Sequence, residues 1–131
     1  MLLAPAFEGA EVTFACTDGG QAERYGLVRF ETLDDCNQNE PVKLLRTLWQ
    51  ARRLVRKIAP DVVVSTGAAP GILCLVWARL AGAKTIWIDS IANSEKLSLS
   101  GRLAIKFCDS VYTQWEHLAC GNRPAYRGSV L

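Results

Sequence analysis

The sequence predicts an α/β domain, in which helices flank a parallel β-sheet, on the basis of three stretches. Pro60 to Gly71 opens with three consecutive valines, typical of a strand buried on both faces, and continues into small residues typical of a tight loop. Ile72 to Ala83 is apolar enough to be a crossover helix, and Lys84 to Asp89 returns as a second strand. A strand, a helix and a strand in this order form a βαβ unit of a parallel sheet.

The composition favours a single folded domain over residues 1–131. Half of the residues are hydrophobic, and the formal net charge of +2 is too small to indicate nucleic-acid binding by itself. The five cysteines are odd in number, far apart and never in a Cys-x-x-Cys pair, so neither a disulfide framework nor a zinc site is predicted. Reduced thiols in a cytosolic compartment are the simplest interpretation. No apolar run reaches the ~18 to 20 residues that a bilayer-spanning helix needs.

The amino-terminal third contains two predicted strands. Met1 to Phe7 is interpreted as the end of a helix that Gly9 stops, and Glu11 to Thr17 as a strand. Gly26 to Thr32 is predicted to be a short strand toward the sheet edge, followed by a polar loop. A parallel α/β domain normally starts with a strand before its first helix, so the chain is expected to enter the sheet in mid-unit.

Pro41 to Ala59 is the clearest predicted helix, because its apolar residues recur at spacings of three and four along one face. The opposite face is basic and includes Arg52, Arg53 and Arg56. These arginines are candidates for contact with anionic lipid headgroups or with a phosphate-bearing substrate, and a solvated helix face is the alternative.

The carboxyl-terminal third alternates again between helix and strand. In order, the predictions are a loop over Ser90 to Lys96, a helix over Leu97 to Cys108 that Gly101 interrupts early, a strand over Asp109 to Thr113, a helical turn over Trp115 to Ala119 and a last extended segment over Arg127 to Leu131.

Three loops are expected to meet at one edge of this sheet. Right-handed crossovers place every strand-to-helix loop at the carboxyl edge, which brings together Ser65 to Gly71, Asp89 to Glu95 and Thr113 to Trp115. The small residues of the first loop allow backbone N–H groups to approach an anion or a sugar, or simply allow a strand to pack on a helix. This loop matches neither Gly-x-Gly-x-x-Gly nor the P-loop pattern, so we expect neither a dinucleotide nor an ATP cofactor.

Polar residues cluster where the second strand of the unit ends. Asp89, Ser90, Asn93 and Glu95 form either a ligand-facing group or a capping network for the next helix, and Asp89 is also a candidate general base. His117 is the sole histidine and is expected to pack or to lie at the surface. No Ser-His-Asp or Cys-His set and no paired histidines are recognisable, so no metal site is predicted.

Five stretches together resemble one known family. They are Pro60 to Gly71, Thr85 to Leu99, Ser100 to Arg102, Thr113 to Trp115 and Tyr126 to Leu131. The family is that of the acceptor-side subunits of split UDP-sugar glycosyltransferases with GT-B architecture. It includes the membrane-anchoring subunit of the N-acetylglucosaminyltransferase that extends dolichol-linked chitobiose, and PssD-type bacterial proteins of exopolysaccharide synthesis.

The resemblance implies a division of labour between two chains. This chain would be the amino-terminal, Rossmann-like half of a GT-B enzyme, inactive alone, which holds a polyprenyl-diphosphate-linked sugar acceptor at the cytoplasmic face of the membrane as a peripheral protein. A separate donor-binding subunit would bind the UDP-sugar, and transfer would proceed with inversion and without a metal. The resemblance implies that Thr66, Gly67, Asp89, Ser90 and Asn93 face the acceptor. The predicted acceptor-binding set also includes Ser65 and Glu95 from the same two loops.

Family members usually begin with a strand and a Gly-Gly-His-type loop ahead of a Leu-x-Pro-Ala-Phe segment, and this sequence starts at that segment. The additional strand would lie between Glu11 to Thr17 and Asp61 to Ser65, where we expect two rows of backbone groups without a partner strand. Two alternatives to a transferase subunit remain. They are a non-catalytic membrane-recruitment module and an unrelated sugar-phosphate-binding protein.

Overall fold

A computed structural model describes residues 7–17, 20, 24, 29–34, 39–67, 69–121 and 123–129. The elements follow in the order β1 (Phe14–Cys16), β2 (Phe30–Thr32), α1 (Pro41–Ile58), β3 (Val62–Ser65), α2 (Ala69–Leu80), β4 (Lys84–Ile88), α3 (Leu99–Phe107), β5 (Ser110–Thr113), a 3-10 turn (Glu116–Leu118) and β6 (Ala125–Tyr126). All strand pairs are parallel, so the predicted α/β class is confirmed.

The strands form two sheets. β1 pairs with β2, and the other strands form a four-stranded sheet in the order β3-β4-β5-β6. Within the described residues neither β1 nor β3 has a second hydrogen-bonded neighbour. The family resemblance places a further strand between these two, and that position stays a prediction.

The main core lies between the four-stranded sheet and the helices α2 and α3. Trp87 and Val111 on the sheet are fully buried against Leu75 of α2 and Ala104 of α3. A second cluster joins α1 to α2, where Ala51 packs with Cys74 and with Leu33 beyond β2. In these two clusters α2 and α3 pack directly on the sheet, and α1 packs on α2.

Asp109 ties the amino-terminal ends of β4 and β5 together. Its carboxylate accepts a hydrogen bond from the backbone N–H of Thr85 at 2.8 Å and another from the Thr85 hydroxyl at 3.1 Å, and it pairs with Arg79 at 3.0 Å. The Thr85 backbone N–H is the largest cause that lowers the pKa of Asp109 below its ordinary value.

The structure corrects three predicted boundaries. Gly101 does not interrupt a helix but lies inside α3, because the Ser98 side chain caps the helix and accepts a hydrogen bond from the Gly101 N–H. α2 begins at Ala69 rather than Ile72, with Pro70 in its first turn. The extended carboxyl-terminal segment starts earlier than the predicted Arg127, because Ala125 and Tyr126 already pair with Tyr112 and Thr113 of β5.

Some predicted segments lie outside the described residues. They are residues 1–6 of the predicted first helix end, 26–28 of the predicted second strand, and 130–131 of the predicted last segment.

Candidate functional site

The three predicted loops follow β3, β4 and β5, which are parallel neighbours in one sheet. In the register of these strands Ser65 lies beside Trp87, and Ile88 lies beside Tyr112. The chain therefore leaves each strand at the same edge, as the crossover rule requires. We refer to residues 65–71 as the β3 loop and to residues 89–98 as the β4 loop.

The β4 loop is anchored by the carboxylate of Asp89, which is only 2% exposed. Oδ1 accepts hydrogen bonds from Trp87 Nε1 at 3.1 Å and from Ser98 Oγ at 2.6 Å. Oδ2 accepts from the Ser98 backbone N–H at 3.1 Å and from Asn93 Nδ2 at 3.4 Å. The capping network that the sequence left as one alternative is thus present, whereas contact of Asp89 with an acceptor stays a prediction.

Side chains that follow β5 hold the same loop from its other side. Gln114 Nε2 donates to the Asp89 carbonyl at 3.0 Å, and Trp115 Nε1 donates to the Ile91 carbonyl at 2.8 Å. His117 Nε2 lies 2.5 Å from the Ser94 carbonyl, which can only accept, so this nitrogen carries the hydrogen. Three side chains thus fix three backbone carbonyls of the β4 loop.

The β3 loop is ordered mainly by close packing. Ser65 is 8% exposed, and its hydroxyl donates to the Gly67 carbonyl at 3.5 Å, the longest hydrogen bond at this edge. A Cβ on Gly71 would lie 2.1 Å from Ser65 Oγ and 3.2 Å from Ser65 Cβ, so glycine at this position leaves room for the Ser65 side chain in its present conformation. The loop depends on small residues, as the sequence predicted.

The predicted acceptor-binding residues differ in what they present to solvent. Thr66 and Glu95 are exposed, Gly67, Ser90 and Asn93 are half-buried, and Ser65 and Asp89 are buried. The Ser90 hydroxyl also accepts a hydrogen bond from the Ala92 N–H at 3.2 Å. Five of the seven predicted residues are therefore at least partly accessible to solvent, and the other two, Ser65 and Asp89, are buried.

The three predicted contact arginines have different environments. Arg52 lies over the rings of Trp49 and Trp77, 5.2 and 5.5 Å from their centroids, as in cation–π contacts. Arg53 lines a groove of about 220 Å³ between α1 and the end of β2. Arg56 is exposed. A role of these arginines in membrane or phosphate contact stays a prediction.

An exposed apolar stripe lies on the same helix as these arginines, and the sequence indicates two of its members, Leu45 and Trp49, as residues that widen the apolar side. Val42, Leu45 and Trp49 are 74%, 57% and 51% exposed and follow one another at spacings of three and four on α1. Within the described residues no helix is long and apolar enough to cross a bilayer. The stripe of Val42, Leu45 and Trp49 is exposed on the surface of α1.

The buried cysteines have little nucleophilic character. Burial raises the pKa of the Cys74 thiol to about 11, and burial is also the main cause that raises the pKa of Cys108. Both thiols are therefore protonated near neutral pH. Of the described cysteines only Cys120 is exposed.

Comparison with known proteins identifies relatives of this chain. A family model described as "Oligosaccharide biosynthesis protein Alg14 like" matches residues 16–130. The chain is 38% identical over 76 residues to the UDP-N-acetylglucosamine transferase subunit ALG14 of Eremothecium gossypii, which covers 53% of this chain and 34% of that protein. The human protein of the same name is 27% identical over 104 residues, covering 72% of this chain and 48% of its own length.

A second group of relatives carries the name of an N-acetylglucosamine transferase that acts on pyrophosphoryl-undecaprenol. The UDP-N-acetylglucosamine N-acetylmuramyl-(pentapeptide) pyrophosphoryl-undecaprenol N-acetylglucosamine transferase of Nitrosospira multiformis is 31% identical over 123 residues, covering 87% of this chain and 34% of its own length. The crystal structure of Acinetobacter baumannii MurG superposes with a TM-score of 0.77 at 15% identity, over 95% of this chain and 40% of that one. The latter shows the fold. The chain spans about a third of the length of the first two curated relatives.

Proposed function

The chain belongs to the Alg14-like family of oligosaccharide biosynthesis proteins, and on this premise we propose that it is the acceptor-binding subunit of a two-component UDP-sugar glycosyltransferase. Relatives in the family are UDP-N-acetylglucosamine transferase subunits. The name of the Nitrosospira relative includes pyrophosphoryl-undecaprenol, which supports a polyprenyl-diphosphate-linked sugar as the acceptor class here. Family membership argues against an unrelated sugar-phosphate-binding protein.

The observation that carries the proposal is the ordered polar edge formed by the β3 and β4 loops. Thr66, Ser90 and Asn93 provide two hydroxyls and an amide, and Glu95 adds an exposed carboxylate. Hydroxyl, amide and carboxylate groups match the alternating donors and acceptors of a sugar ring. Because the β4 loop is held from both sides, binding an acceptor there costs little ordering entropy.

The proposed role is to orient the acceptor, while the partner subunit binds the UDP-sugar. In transfer an acceptor hydroxyl attacks the anomeric carbon of the sugar, the bond to the UDP oxygen breaks, and the hydroxyl proton leaves to a base. Asp89 is a poor candidate for that base in the present geometry, because both of its oxygens already accept hydrogen bonds inside the protein. Holding the acceptor hydroxyl close to the donor accelerates this step by proximity.

Co-expression with the donor-binding subunit and a radiolabelled UDP-sugar assay on a lipid-linked acceptor test the proposal. We expect transfer well above that of the partner alone. Asn93→Ala should raise KM for the acceptor about 2- to 10-fold, the range for the loss of one hydrogen bond, and leave KM for the UDP-sugar unchanged. Lys84→Ala, at the opposite end of β4, is the matched control. No rise in transfer over the partner alone would sink the enzymatic proposal.

The α1 surface supports a second function, recruitment to an anionic membrane. Lys43, Arg46 and Lys57 pair with Glu40, Asp34 and Glu31, while Arg53 and Arg56 form no ion pair with the described residues. Arg53 and Arg56 lie four and seven residues after Trp49, so they continue the spacing of the exposed stripe of Val42, Leu45 and Trp49 toward the carboxyl end of α1. An apolar stripe beside unpaired arginines is typical of a helix that lies at a lipid interface.

Liposome flotation separates the two functions. Reversing the charge of Arg53 and Arg56 should reduce binding to anionic vesicles, with Arg102→Glu on α3 as the control. A pure recruiter loses transfer in the charge-reversed variant and keeps it in Asn93→Ala. An acceptor-binding subunit is impaired by Asn93→Ala even when it is bound to vesicles.

A further inference from the structure

We propose that Asp89 is a positioning residue, whose buried carboxylate joins the end of β4 to the first turn of α3 and so fixes the shape of the β4 loop. Its relevance to transfer rests on the proposed acceptor-binding function of that loop. Asp89 is buried and does not contact the acceptor itself; it holds in place the loop residues that do. Three features of the structure carry this inference.

The first feature is the set of donors around the carboxylate. Each oxygen accepts two hydrogen bonds, from Trp87 and Ser98 on Oδ1 and from Ser98 and Asn93 on Oδ2. An ionised carboxylate offers acceptor sites only, and it satisfies all of these donors at once. An asparagine of the same shape would turn an NH₂ group toward donors on one side, so the site selects a carboxylate.

The second feature is the direction of the Ser98 hydrogen bonds. The Ser98 hydroxyl donates to Asp89 Oδ1 at 2.6 Å and accepts from the Gly101 N–H at 2.9 Å. Because a hydroxyl has a single hydrogen, the carboxylate orients the cap of α3. A negative charge at the beginning of α3 is also favourable for the helix dipole. Asp89 thus connects a strand end, a helix start and the loop between them.

The third feature is the space that Gly101 leaves for this network. A Cβ at Gly101 would lie 2.8 Å from Asp89 Oδ1, 3.0 Å from Ser98 Oγ and 3.1 Å from Trp87 Nε1. Glycine is otherwise a weak helix former, and α3 nevertheless contains it. Close approach of the Asp89 carboxylate to the helix accounts for glycine at this position.

The β4 loop carries Ser90, Asn93 and Glu95 of the predicted acceptor set between its two anchors. Asn93 contacts the network directly, because its amide donates to Asp89 Oδ2. Loss of the carboxylate therefore frees Asn93 and the cap of α3 together, while the bonds from Gln114 and Trp115 to the loop backbone remain. A selective loosening of the loop is the expected consequence, with the strands unchanged.

The test uses Asp89→Asn in the full chain, assembled with the donor-binding subunit. Hydrogen exchange of the backbone amides in 90–98 should become at least about tenfold faster, with β4 and α2 unchanged. KM for the lipid-linked acceptor should rise at least about fivefold, with KM for the UDP-sugar unchanged. Asp109→Asn, at the amino end of β5, is the matched control and should alter neither quantity.

The outcomes separate this proposal from the function it rests on. If the backbone amides of residues 90–98 exchange in Asp89→Asn at the wild-type rate, the positioning role of Asp89 is overturned. Faster exchange with an unchanged acceptor KM supports positioning by Asp89 and contradicts the placement of the acceptor at this loop. Should Asp89→Asn not fold, Ser98→Ala is the second variant. It removes the two hydrogen bonds of the Ser98 hydroxyl and keeps the Asp89 carboxylate, so it should show the same pattern with smaller changes. Wild-type values in Ser98→Ala also overturn the proposal.

Discussion

The β3 loop and the β4 loop lie at the same edge of one sheet, yet they are ordered by different forces. The β4 loop is held by hydrogen bonds from Asp89 on one side and from Gln114 and Trp115 on the other. Among its described residues the β3 loop has one long side-chain hydrogen bond, and Ser65 fits closely against Gly71. A polar network fixes donor and acceptor directions, whereas packing fixes only shape, so the β4 loop is better suited to select sugar hydroxyls.

Breaking the packing of the β3 loop should have the largest effect on stability. In Gly71→Ala the new methyl group would lie 2.1 Å from Ser65 Oγ and 3.2 Å from Ser65 Cβ, so the Ser65 hydroxyl must leave its present position and the remaining contact is still tight. We expect the free energy of unfolding to fall by about 2 to 3 kcal/mol, the upper range for overpacking. Chemical denaturation of the chain measures it.

Gly67→Ala is the matched control in the same loop, because no heavy atom lies within 4 Å of a Cβ at this position. It should change the free energy of unfolding by less than about 0.5 kcal/mol. Ser65→Ala should restore part of the stability in the Gly71→Ala background, since it removes the clashing oxygen. Equal effects of the two glycine substitutions would contradict packing as the force that orders this loop.

Removing one bond of the β4 loop should have a smaller and more local effect. Trp115→Phe loses the hydrogen bond from Nε1 to the Ile91 carbonyl, which is worth about 1 kcal/mol. Amide exchange in 90–98 should become about fivefold faster. Trp49→Phe on α1 is the control, and an equal acceleration in that variant would show that the effect is not local.

The lowered pKa of Asp109 predicts how the stability of the protein depends on pH. Because the folded pKa of Asp109 is lowered, its contribution to stability is present above the unfolded value of about 3.8 and is lost as the pH falls through the folded value. The difference in Tm between the wild type and Asp109→Asn should be constant from about pH 7 to 5 and shrink below about pH 4. A difference that persists unchanged to about pH 2 would rule out this ionisation as its source.

The rate of thiol labelling at Cys74 should report how often the structure opens next to the β3 loop. With a pKa of about 11, Cys74 of α2 has about a hundredfold less thiolate at pH 8 than an unshifted thiol, and it is buried. Among the described cysteines Cys120 should react first, and Cys74 only when the structure opens. Cys74 should be labelled faster in Gly71→Ala than in Gly67→Ala, because only the first variant disturbs the start of α2. Equal rates in the two variants would show that the disturbance does not reach Cys74.

Local sequence patterns predicted much of this architecture. The apolar spacing placed the helix over Pro41 to Ala59, within one residue of α1, and the run of valines placed β3. Both elements could be predicted because the helix period and the run of valines are set by residues close together in the sequence. The convergence of the three loops followed from the handedness of parallel crossovers, which requires no knowledge of side-chain contacts.

Local patterns could not predict side-chain contacts between residues that are far apart in the sequence. Gly101 suggested a helix break, because its propensity is visible in the sequence and its proximity to Asp89 is not. The bonds from Gln114, Trp115 and His117 to the β4 loop join positions 23 to 25 residues apart. The inward orientation of the Asp89 carboxylate could likewise be stated from sequence only as one of two alternatives.

Photo-crosslinking from the two ends of β4 tests most directly whether this edge binds the acceptor. A photoreactive residue would replace Ser90, just beyond the carboxyl end of the strand, or Lys84 at its amino end, in the chain assembled with its donor-binding subunit. A short polyprenyl-diphosphate-linked sugar should crosslink to the chain labelled at position 90, and excess unlabelled acceptor should compete. Crosslinking that is equal at both positions, or that occurs at position 84 alone, would contradict an acceptor site formed by the β3 and β4 loops.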